Sequence, residues 1–193
     1  WEMIEPDDEG DVLVELADEV RDGLIQSMPA EEVIVALDGM EPDDLADLVA
    51  DLPEALTQEV LRSLDQQDRE RLDTVLSYEE DSAGGLMNLD VITVRPDVTI
   101  EVVLRYLRAR ANIPDGTDSI YVVDRNNEYF GSVFLSRLLT LDPTSSVAEI
   151  MSTDMHPIPT QTSAEEVVWE FENRDLLSAP VVDEQNQLVG RIT

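Results

Sequence analysis

The stretch from residue 87 to residue 193 contains an internal duplication, and this constrains the fold more than any other feature of the sequence. Five positions of the first copy recur 64 residues later as the same or a similar residue: Met87 and Met151, Asp90 and Asp154, Val94 and Ile158, Thr99 and Ser163, and Glu101 and Glu165. Farther along, the offset is 59, where residues 121–124 match 180–183 and Gly131 matches Gly190. Self-similarity at a fixed offset indicates one structural unit that occurs twice.

Each copy has the pattern of a strand, a helix, a second strand, a turn and a third strand. Short buried strands are predicted at 121–123 and 181–182, turns at 126–127 and 185–186, and return strands at 130–135 and 188–193. Thr99 and Ser163 are predicted to cap the two helices at their N-termini, and Ser163 with Glu166 predicts a capping box. Each copy therefore reads as a β-α-β-β unit.

This layout resembles a tandem pair of CBS domains, a fold known for sensing adenine nucleotides, and the resemblance covers residues 87–193. It implies nucleotide sites of the form Gly-x-φ-Ser/Thr-x-x-Asp on the return strand, where φ is apolar. The first copy has Phe134 at the hydroxyl position and Arg137 at the acidic position, which disfavours a standard site there. In the second copy Thr193 fits the hydroxyl position, as a weak nucleotide-binding candidate. ATP and AMP are therefore not expected as ligands.

The chain is strongly acidic, with 44 acidic residues against 12 basic residues, all of them arginine, and a formal net charge of −32. Nucleic acid and anionic membrane surfaces are disfavoured as partners, because phosphate binding requires the opposite sign of charge. One interpretation is a solvated surface adapted to high salt, where screening removes the self-repulsion. The other is a cation-binding protein. The absence of lysine favours the first, and the two are compatible.

The charge is also uneven along the chain. Residues 1–83 hold 27 acidic and 4 basic side chains, whereas residues 84–193 hold 17 and 8. A coat that only serves salt adaptation is expected to be more uniform. The asymmetry therefore favours a special role for the first part of the chain.

Residues 11–77 show the apolar periodicity of short amphipathic helices. The apolar positions are Val12, Leu13, Leu16, Val20, Val33, Ile34, Leu37, Leu45, Leu48, Val49, Leu52, Leu56, Val60, Leu61 and Leu64. Pro29, Pro42 and Pro53 fall where helices can begin, since proline is tolerated in a first turn. We expect short helices stacked as hairpins, similar in principle to a helical solenoid.

One of these predicted helices carries a column of aspartates opposite its apolar face. Asp43, Asp47 and Asp51 are spaced i, i+4 and i+8, where like charges cost a few tenths of a kcal/mol each. The column is either a solvated acidic face or a set of oxygen ligands for a divalent cation. Magnesium commonly uses only one or two carboxylates and keeps several waters, so spacing alone does not decide between the two.

Residues 78–87 read Tyr-Glu-Glu-Asp-Ser-Ala-Gly-Gly-Leu-Met and predict a hinge, because Gly84 and Gly85 permit bending or close approach. An acidic helical region, this motif and two CBS domains together resemble the cytosolic part of the MgtE-type magnesium transporter family over essentially the whole chain. The expected fold class is α+β, an all-α superhelical stack followed by a tandem CBS pair. The expected domains are a shortened acidic N domain at 1–83, CBS domain 1 at 84–140 and CBS domain 2, truncated at its C-terminal end, at 141–193.

The resemblance implies a regulatory mechanism in which Mg²⁺ between the helical domain and the CBS domains holds them together and controls a pore. It implies metal-binding roles for Asp11, Asp43, Asp47, Gly85, Glu172 and Asp175. It further implies a homodimer through the CBS domains, a transmembrane pore domain C-terminal to this stretch, and a location on the cytoplasmic side of the cell membrane with this fragment itself soluble. Positions that hold ATP-binding residues in the family are occupied here by Ser119, Ser136, Arg137 and Leu176, none of which retains the family's residue type.

Two alternatives stay open: a soluble CBS-pair sensor of adenine nucleotides, and a salt-adapted scaffold. An enzyme is not expected, since the sequence has no Ser/His/Asp arrangement, P-loop or paired catalytic carboxylates. It has no cysteine and therefore no disulfide or thiolate metal site. His156 is expected to be structural, and Trp169 and Phe171 are expected to be packing residues.

Overall fold

The structure, a computed structural model, describes residues 9–38, 40, 42–110, 113–114 and 116–193, apart from the side chains of Asp11, Asp18 and Asp51. The chain divides into two compact units, Trp1–Ser77 and Tyr78–Thr193. The domain limits expected from the sequence stay predictions. The observed division precedes the expected 83/84 boundary by six residues, because residues 78–83 pack within the second unit.

The described residues of the first unit form six helices. They are α1 (Glu9–Val14), α2 (Asp18–Ser27), α3 (Ala30–Ala36), α4 (Pro42–Asp51), α5 (Glu54–Ser63) and α6 (Gln66–Leu76). Pro29 and Pro53 are the N-cap residues of α3 and α5, and Pro42 is the first residue of α4. The three prolines therefore mark helix starts as predicted, since the fixed φ of proline suits a first turn.

The helices of this unit pack in an alternating order, α3 against α5 and α4 against α6, as expected for a helical stack. Its fully buried side chains include Leu13, Val33, Leu37, Leu48, Val60 and Leu72. The prediction that Val20 belongs to the apolar face is wrong, because its side chain is 57% exposed. Helix α1 ends at Val14 and α2 begins at Asp18, so Val20 does not share a helix with Leu13.

The described residues of the second unit form two three-stranded sheets. Its elements are β1 (Thr93–Val94), α7 (Ile100–Ala109), β2 (Ser119–Val123), β3 (Tyr129–Phe134), α8 (Leu135–Thr140), α9 (Val147–Ile150), β4 (Ile158–Pro159), α10 (Ala164–Arg174), β5 (Ala179–Val182) and β6 (Leu188–Ile192). The sheets have the orders β1-β2-β3 and β4-β5-β6. In each sheet the first pair of strands is parallel and the second is antiparallel. The β-α-β-β prediction is confirmed for both copies.

The duplication extends to the register of the sheets. Val122 pairs with Val94 on one side and Gly131 on the other, while the equivalent Val181 pairs with Ile158 and Gly190. The antiparallel register shifts immediately after Val122 in one sheet and immediately after Val181 in the other. Both irregularities precede the same type of hairpin. The two copies are therefore equivalent in backbone geometry as well as in sequence.

The helix caps follow the sequence in part. Thr99 and Ser163 occupy the N-cap positions of α7 and α10, as predicted, but the Thr99 side chain accepts no capping hydrogen bond. The Ser163 hydroxyl accepts a hydrogen bond from the Glu166 amide at 3.4 Å, which is one half of the predicted capping box. At the start of α9, where no capping box was predicted from the sequence, the Ser146 amide donates to the Glu149 carboxylate at 2.9 Å, which is the other half of such a box.

Residues 78–89, which we call the connecting segment, lie against the second CBS domain rather than the first. Ala83 and Met87 are fully buried in the cluster that contains Ile158, Val181 and Ile192. The remaining core residues of that cluster are Val167 and Ala179. The segment precedes the first repeat in sequence, yet it completes the core of the second repeat.

Candidate metal-binding carboxylates

Helix α4 carries two of the predicted metal ligands. Its apolar face is buried through Leu45, Leu48 and Val49, and Leu52, directly after the helix, is buried as well. Asp47 points away from this face and is exposed, while Asp43 is half-buried in the first turn. The positive end of the helix dipole stabilises a carboxylate at the first turn but not one at Asp47, a turn further on. The side chains of Asp51 and of Asp11 on α1 lie outside the described residues.

The other predicted carboxylates lie at the C-terminal end of α10. Glu172 and Asp175 are both exposed. Asp175 ends the helix in the left-handed conformation, with φ 50° and ψ 46°, and its amide donates to the carbonyl of Phe171. Aspartate tolerates this conformation better than most residues. Arg174, between them, forms an ion pair with Glu170 at 2.8 Å.

Gly85 is buried, and its surroundings leave no room for a side chain. A Cβ atom at this position would lie 2.5 Å from the carbonyl oxygen of Glu79 and 2.6 Å from that of Glu80. Positive φ values among the described glycines occur at Gly116 and not at Gly84 or Gly85. Close approach of the backbone, and not left-handed bending, therefore requires glycine here.

The six predicted ligands are divided between the two compact units. Asp11, Asp43 and Asp47 belong to the first unit, and Gly85, Glu172 and Asp175 belong to the second. Among the described residues, no group of three or more His, Asp or Glu side chains is arranged to hold a metal ion. The donor set of carboxylate and carbonyl oxygens does fit Mg²⁺, which prefers hard oxygen ligands and keeps several waters. The ligand assignment therefore stays a prediction.

A hydroxyl–carboxylate network that was not predicted from the sequence lies at the starts of β2 and β5. The Ser119 hydroxyl donates to Asp118 Oδ2 at 3.1 Å, and the Ser178 hydroxyl donates to Asp118 Oδ1. The Tyr121 hydroxyl donates to Ser178 at 3.2 Å. Burial raises the pKa of Tyr121 from 10.0 to about 12; the Ser178 bond lowers it and the charge of Asp118 raises it. The 59-residue offset between Ser119 and Ser178 was the signal that could have found this network.

The remaining single-residue predictions have mixed outcomes. Trp169 was expected to pack within the chain, which is wrong, because its side chain is 60% exposed on the outer face of α10. Phe171 is partly buried against the core of the second CBS domain, as expected. His156, Arg137 and Thr193 are exposed.

The duplicated sheets and the acidic helical unit define a tandem CBS protein with an N-terminal helical domain. Residues 1–81 match the family described as MgtE intracellular N domain, and residues 83–143 and 147–193 match the CBS domain family. The cytosolic domain of the Mg²⁺ channel MgtE in complex with ATP has a similar structure, with a TM-score of 0.88 and 32% identity, over 100% of this chain and 84% of that chain. The chain belongs to the MgtE family and corresponds to its cytosolic part.

Two curated relatives are magnesium transporters named MgtE. The protein from Thermus thermophilus is 38% identical over 154 residues, which are 78% of this chain and 34% of the relative. The protein from Bacillus subtilis is 27% identical over 187 residues, which are 97% of this chain and 42% of the relative. The chain thus spans less than half the length of these relatives. Both relatives are described as magnesium transporters. The expectation that this chain is not an enzyme stays a prediction.

A second solved structure, the soluble part of a magnesium transporter, has a TM-score of 0.88 and 22% identity over 100% of this chain and 76% of that chain, and it supports the fold. The α+β fold class predicted from the sequence is confirmed. The expectation that ATP does not bind has no support from these comparisons, because one similar structure contains ATP. No helix among the described residues is long and apolar enough to cross a membrane.

Proposed function

We propose that this chain is the Mg²⁺-sensing cytosolic part of a magnesium transporter, in which bound Mg²⁺ holds the helical unit against the CBS pair and thereby regulates transport. The proposed ligands are Asp11, Asp43, Asp47, Gly85, Glu172 and Asp175. The names of the similar proteins support this assignment, since they are magnesium transporters and the cytosolic domain of a Mg²⁺ channel.

The observation that carries the proposal is the pair of exposed carboxylates at the C-terminal end of α10. Glu172 and Asp175 lie where the helix dipole is negative, so the helix does not stabilise their charge. Cations are the groups that are favoured at such a position. The neighbouring Arg174 is engaged with Glu170. A divalent cation from solution is therefore the partner that we propose for this end of the helix.

The overall charge gives the proposed ion a regulatory role. The first 83 residues carry 27 acidic and 4 basic side chains, and the remainder carries 17 and 8. Bringing two such acidic units together is unfavourable without counter-ions, because like charges repel. A ligand that binds the joined state better than the separated state shifts the population toward the joined state. Rising Mg²⁺ then favours joining, and falling Mg²⁺ favours separation.

We further propose that the full protein carries a transmembrane pore, that this part lies on the cytoplasmic side of the membrane, and that it forms a homodimer through the CBS domains. The transporter relatives, of which this chain spans 34% and 42%, support the pore. Exposed Val168 and Trp169 on α10 support the dimer, because exposed aromatic and aliphatic clusters mark interfaces.

Small-angle X-ray scattering across a Mg²⁺ titration at constant ionic strength tests the proposed mechanism. We expect the radius of gyration to fall with Mg²⁺ more than with the matched Na⁺ control. The double variant Asp43→Asn/Asp47→Asn is expected to lose most of this compaction. Asp73→Asn is the matched control, because Asp73 is an exposed aspartate on α6 of the same unit. An unchanged radius would contradict the proposal. A response that the double variant leaves intact would instead favour a salt-adapted acidic surface.

A second candidate function is adenine-nucleotide sensing by the CBS pair. The observation that favours it is the ATP complex of the 32% identical structure. Calorimetry with AMP, ADP and ATP distinguishes the two functions. Tight nucleotide binding together with a Mg²⁺-independent radius of gyration would favour nucleotide sensing over the proposed Mg²⁺ sensor.

A further inference from the structure

We infer that Ser82 and Gly85 are positioning residues that fix the connecting segment (residues 78–89) to the second CBS domain, so that the segment moves with α10 and β6 as one body. The sequence predicts a hinge at Gly84-Gly85. The joint lies instead in the residues before this segment. Its consequence for Mg²⁺ regulation rests on the proposed function.

The hydrogen bonds of the connecting segment lead to one domain. The amides of Ala83 and Gly84 donate to the carbonyls of Thr162 and Thr160 at 2.8 and 2.9 Å. These two acceptors belong to the loop between β4 and α10. The segment is therefore held at the entrance of α10, and not at an element of the first CBS domain.

Two further contacts fix the two ends of the segment. At one end the Ala164 amide, in the first turn of α10, donates to the carbonyl of Asp81 at 2.9 Å. The segment thus satisfies a helix-end amide that has no partner inside the helix. At the other end Asn88 exchanges two backbone hydrogen bonds with Arg191 on β6, at 2.8 and 2.9 Å. Asn88 and Arg191 are each 3% exposed.

Ser82 determines the shape of the turn. Its hydroxyl donates to the carbonyl of Glu79 at 2.6 Å and accepts from the amide of Gly85 at 3.3 Å. The residue is 5% exposed and forms a bridge with Ser163, the N-cap residue of α10. One buried hydroxyl therefore joins both ends of the turn next to the start of the helix.

Gly85 allows this turn to close. The carbonyl oxygens of Glu79 and Glu80 occupy the space that a Cβ atom would need. Gly84 is similarly confined, since a Cβ atom there would meet the ring of Tyr78. A backbone that is buried, hydrogen-bonded and closely packed does not serve as a bending point, because local opening requires the loss of these contacts. The division between the two compact units at Ser77 and Tyr78 agrees with a joint before the segment.

Hydrogen-exchange mass spectrometry tests the attachment without reference to Mg²⁺. In the unmodified chain we expect the amides of residues 83, 84 and 88 to be protected to the same degree as those of β5 and β6. Gly85→Ala is expected to accelerate exchange at these positions and at residues 164 and 191 by about tenfold or more, because the added methyl overpacks against backbone. Exchange in α7, β2 and β3 is expected to change by less than about twofold, because the effects of a substitution on stability do not usually extend to distant sites.

Gly23→Ala is the matched control, because nothing lies within 4 Å of a Cβ atom at that glycine of α2. Ser82→Ala supplies a milder test should Gly85→Ala fold poorly, and Ser82→Thr, which keeps the hydroxyl, is expected to restore protection. Rapid exchange of residues 83–88 in the unmodified chain would overturn the inference. Equal loss of protection in both CBS domains would do so as well.

Distances between spin labels separate the inference from the proposed function, and the cysteine-free chain permits clean labelling. Labels at Glu80→Cys and Glu184→Cys report on the connecting segment relative to the second CBS domain, and labels at Gln67→Cys and Glu184→Cys report on α6. We expect Mg²⁺ to change the second distance distribution and to leave the first unchanged. A Mg²⁺-dependent change in both would overturn the inference. A change in neither would contradict the proposed function, while the exchange experiment still decides the attachment.

Discussion

The side chains of Asn127 and Asn186 each donate a hydrogen bond to the backbone of the other residue's hairpin: Asn127 Nδ2 to the carbonyl of Leu188, and Asn186 Nδ2 to the carbonyl of Tyr129. Both asparagines adopt positive φ, at 66° and 59°. Their own carbonyls accept from the amides of Leu188 and Tyr129, each at 2.9 Å. The two CBS domains are therefore joined at their hairpins by a symmetric set of four hydrogen bonds.

Asn127→Ala is expected to lower the free energy of unfolding by about 2 kcal/mol, because alanine loses the side-chain bond and tolerates positive φ poorly. Asn127→Gly is expected to recover the conformational part only. Urea denaturation followed by circular dichroism measures both. Gln185→Ala, at an exposed turn position of the other hairpin, is the control and should stay within about 0.5 kcal/mol. Equal stability of the alanine and glycine variants would contradict the role of positive φ.

Substitutions at Asp175 separate its structural role from its proposed metal role. Asp175→Ala is expected to cost about 1 kcal/mol, because the residue ends α10 in the left-handed conformation. Asp175→Gly and Asp175→Asn should keep the stability, since both residues accept this conformation. If the carboxylate binds Mg²⁺, all three variants weaken the Mg²⁺-dependent compaction. A glycine or asparagine variant with an unchanged Mg²⁺ response would exclude Asp175 as a ligand.

The raised pKa of the Tyr121 hydroxyl predicts that the free energy of unfolding falls at high pH. Its folded-state pKa of about 12 lies above the ordinary value of 10.0, chiefly because of burial. A raised pKa contributes stability that is fully present below the unfolded value and is lost as pH rises through the folded value. We therefore expect unfolding to become easier between about pH 10 and pH 12. Tyr121→Phe should weaken this pH dependence, as measured by denaturation and by tyrosinate absorbance.

The exposed Trp169 provides a test of the proposed dimer. Trp169→Glu is expected to raise the dimer dissociation constant by about tenfold or more, because a buried aromatic anchor carries much of an interface's energy. Sedimentation velocity over a concentration series measures the shift. Val35→Glu is the control, since Val35 is an exposed apolar residue of the helical unit. A dimer that is equally tight in both variants would exclude this face of α10 as the interface.

The elements that the sequence predicted well are those with local or repeated signals. The 64- and 59-residue offsets were sufficient for the strands and the hairpins, because the same pattern had to satisfy both copies. Pro42 marked the start of α4, since a proline restricts the helix at that point. The aspartate spacing then placed Asp47 on the exposed face, as the structure has it.

The errors have a common physical cause, which is that burial depends on contacts distant in sequence. Gly84 and Gly85 carry the local signal of a flexible joint, but the segment that contains them is held by hydrogen bonds from Ala83 and Gly84 to residues 162 and 160, far along the chain. Trp169 follows the helical period of α10, but this period does not show which apolar side chains are buried within the chain itself. The proposed ligands of α4 and α10 belong to separate units, and no local pattern determines whether these come together.

The backbone pairing of Asn88 with Arg191 has a counterpart in the first CBS domain, where Ser152 exchanges two backbone bonds with Ser132 on β3. The residue that pairs with the outer strand of each sheet therefore comes from the other repeat. Ser152, which precedes β4, pairs with β3, and Asn88, which precedes β1, pairs with β6. The boundaries of the sequence repeats consequently do not coincide with the boundaries of the folded CBS domains. A fragment that begins at Thr93 would lack the core residues Ala83 and Met87. It would also leave an edge of β6 unpaired, and unpaired strand edges promote aggregation. Neither repeat is an exchangeable module, and recombination that respects the sequence repeat would break the fold.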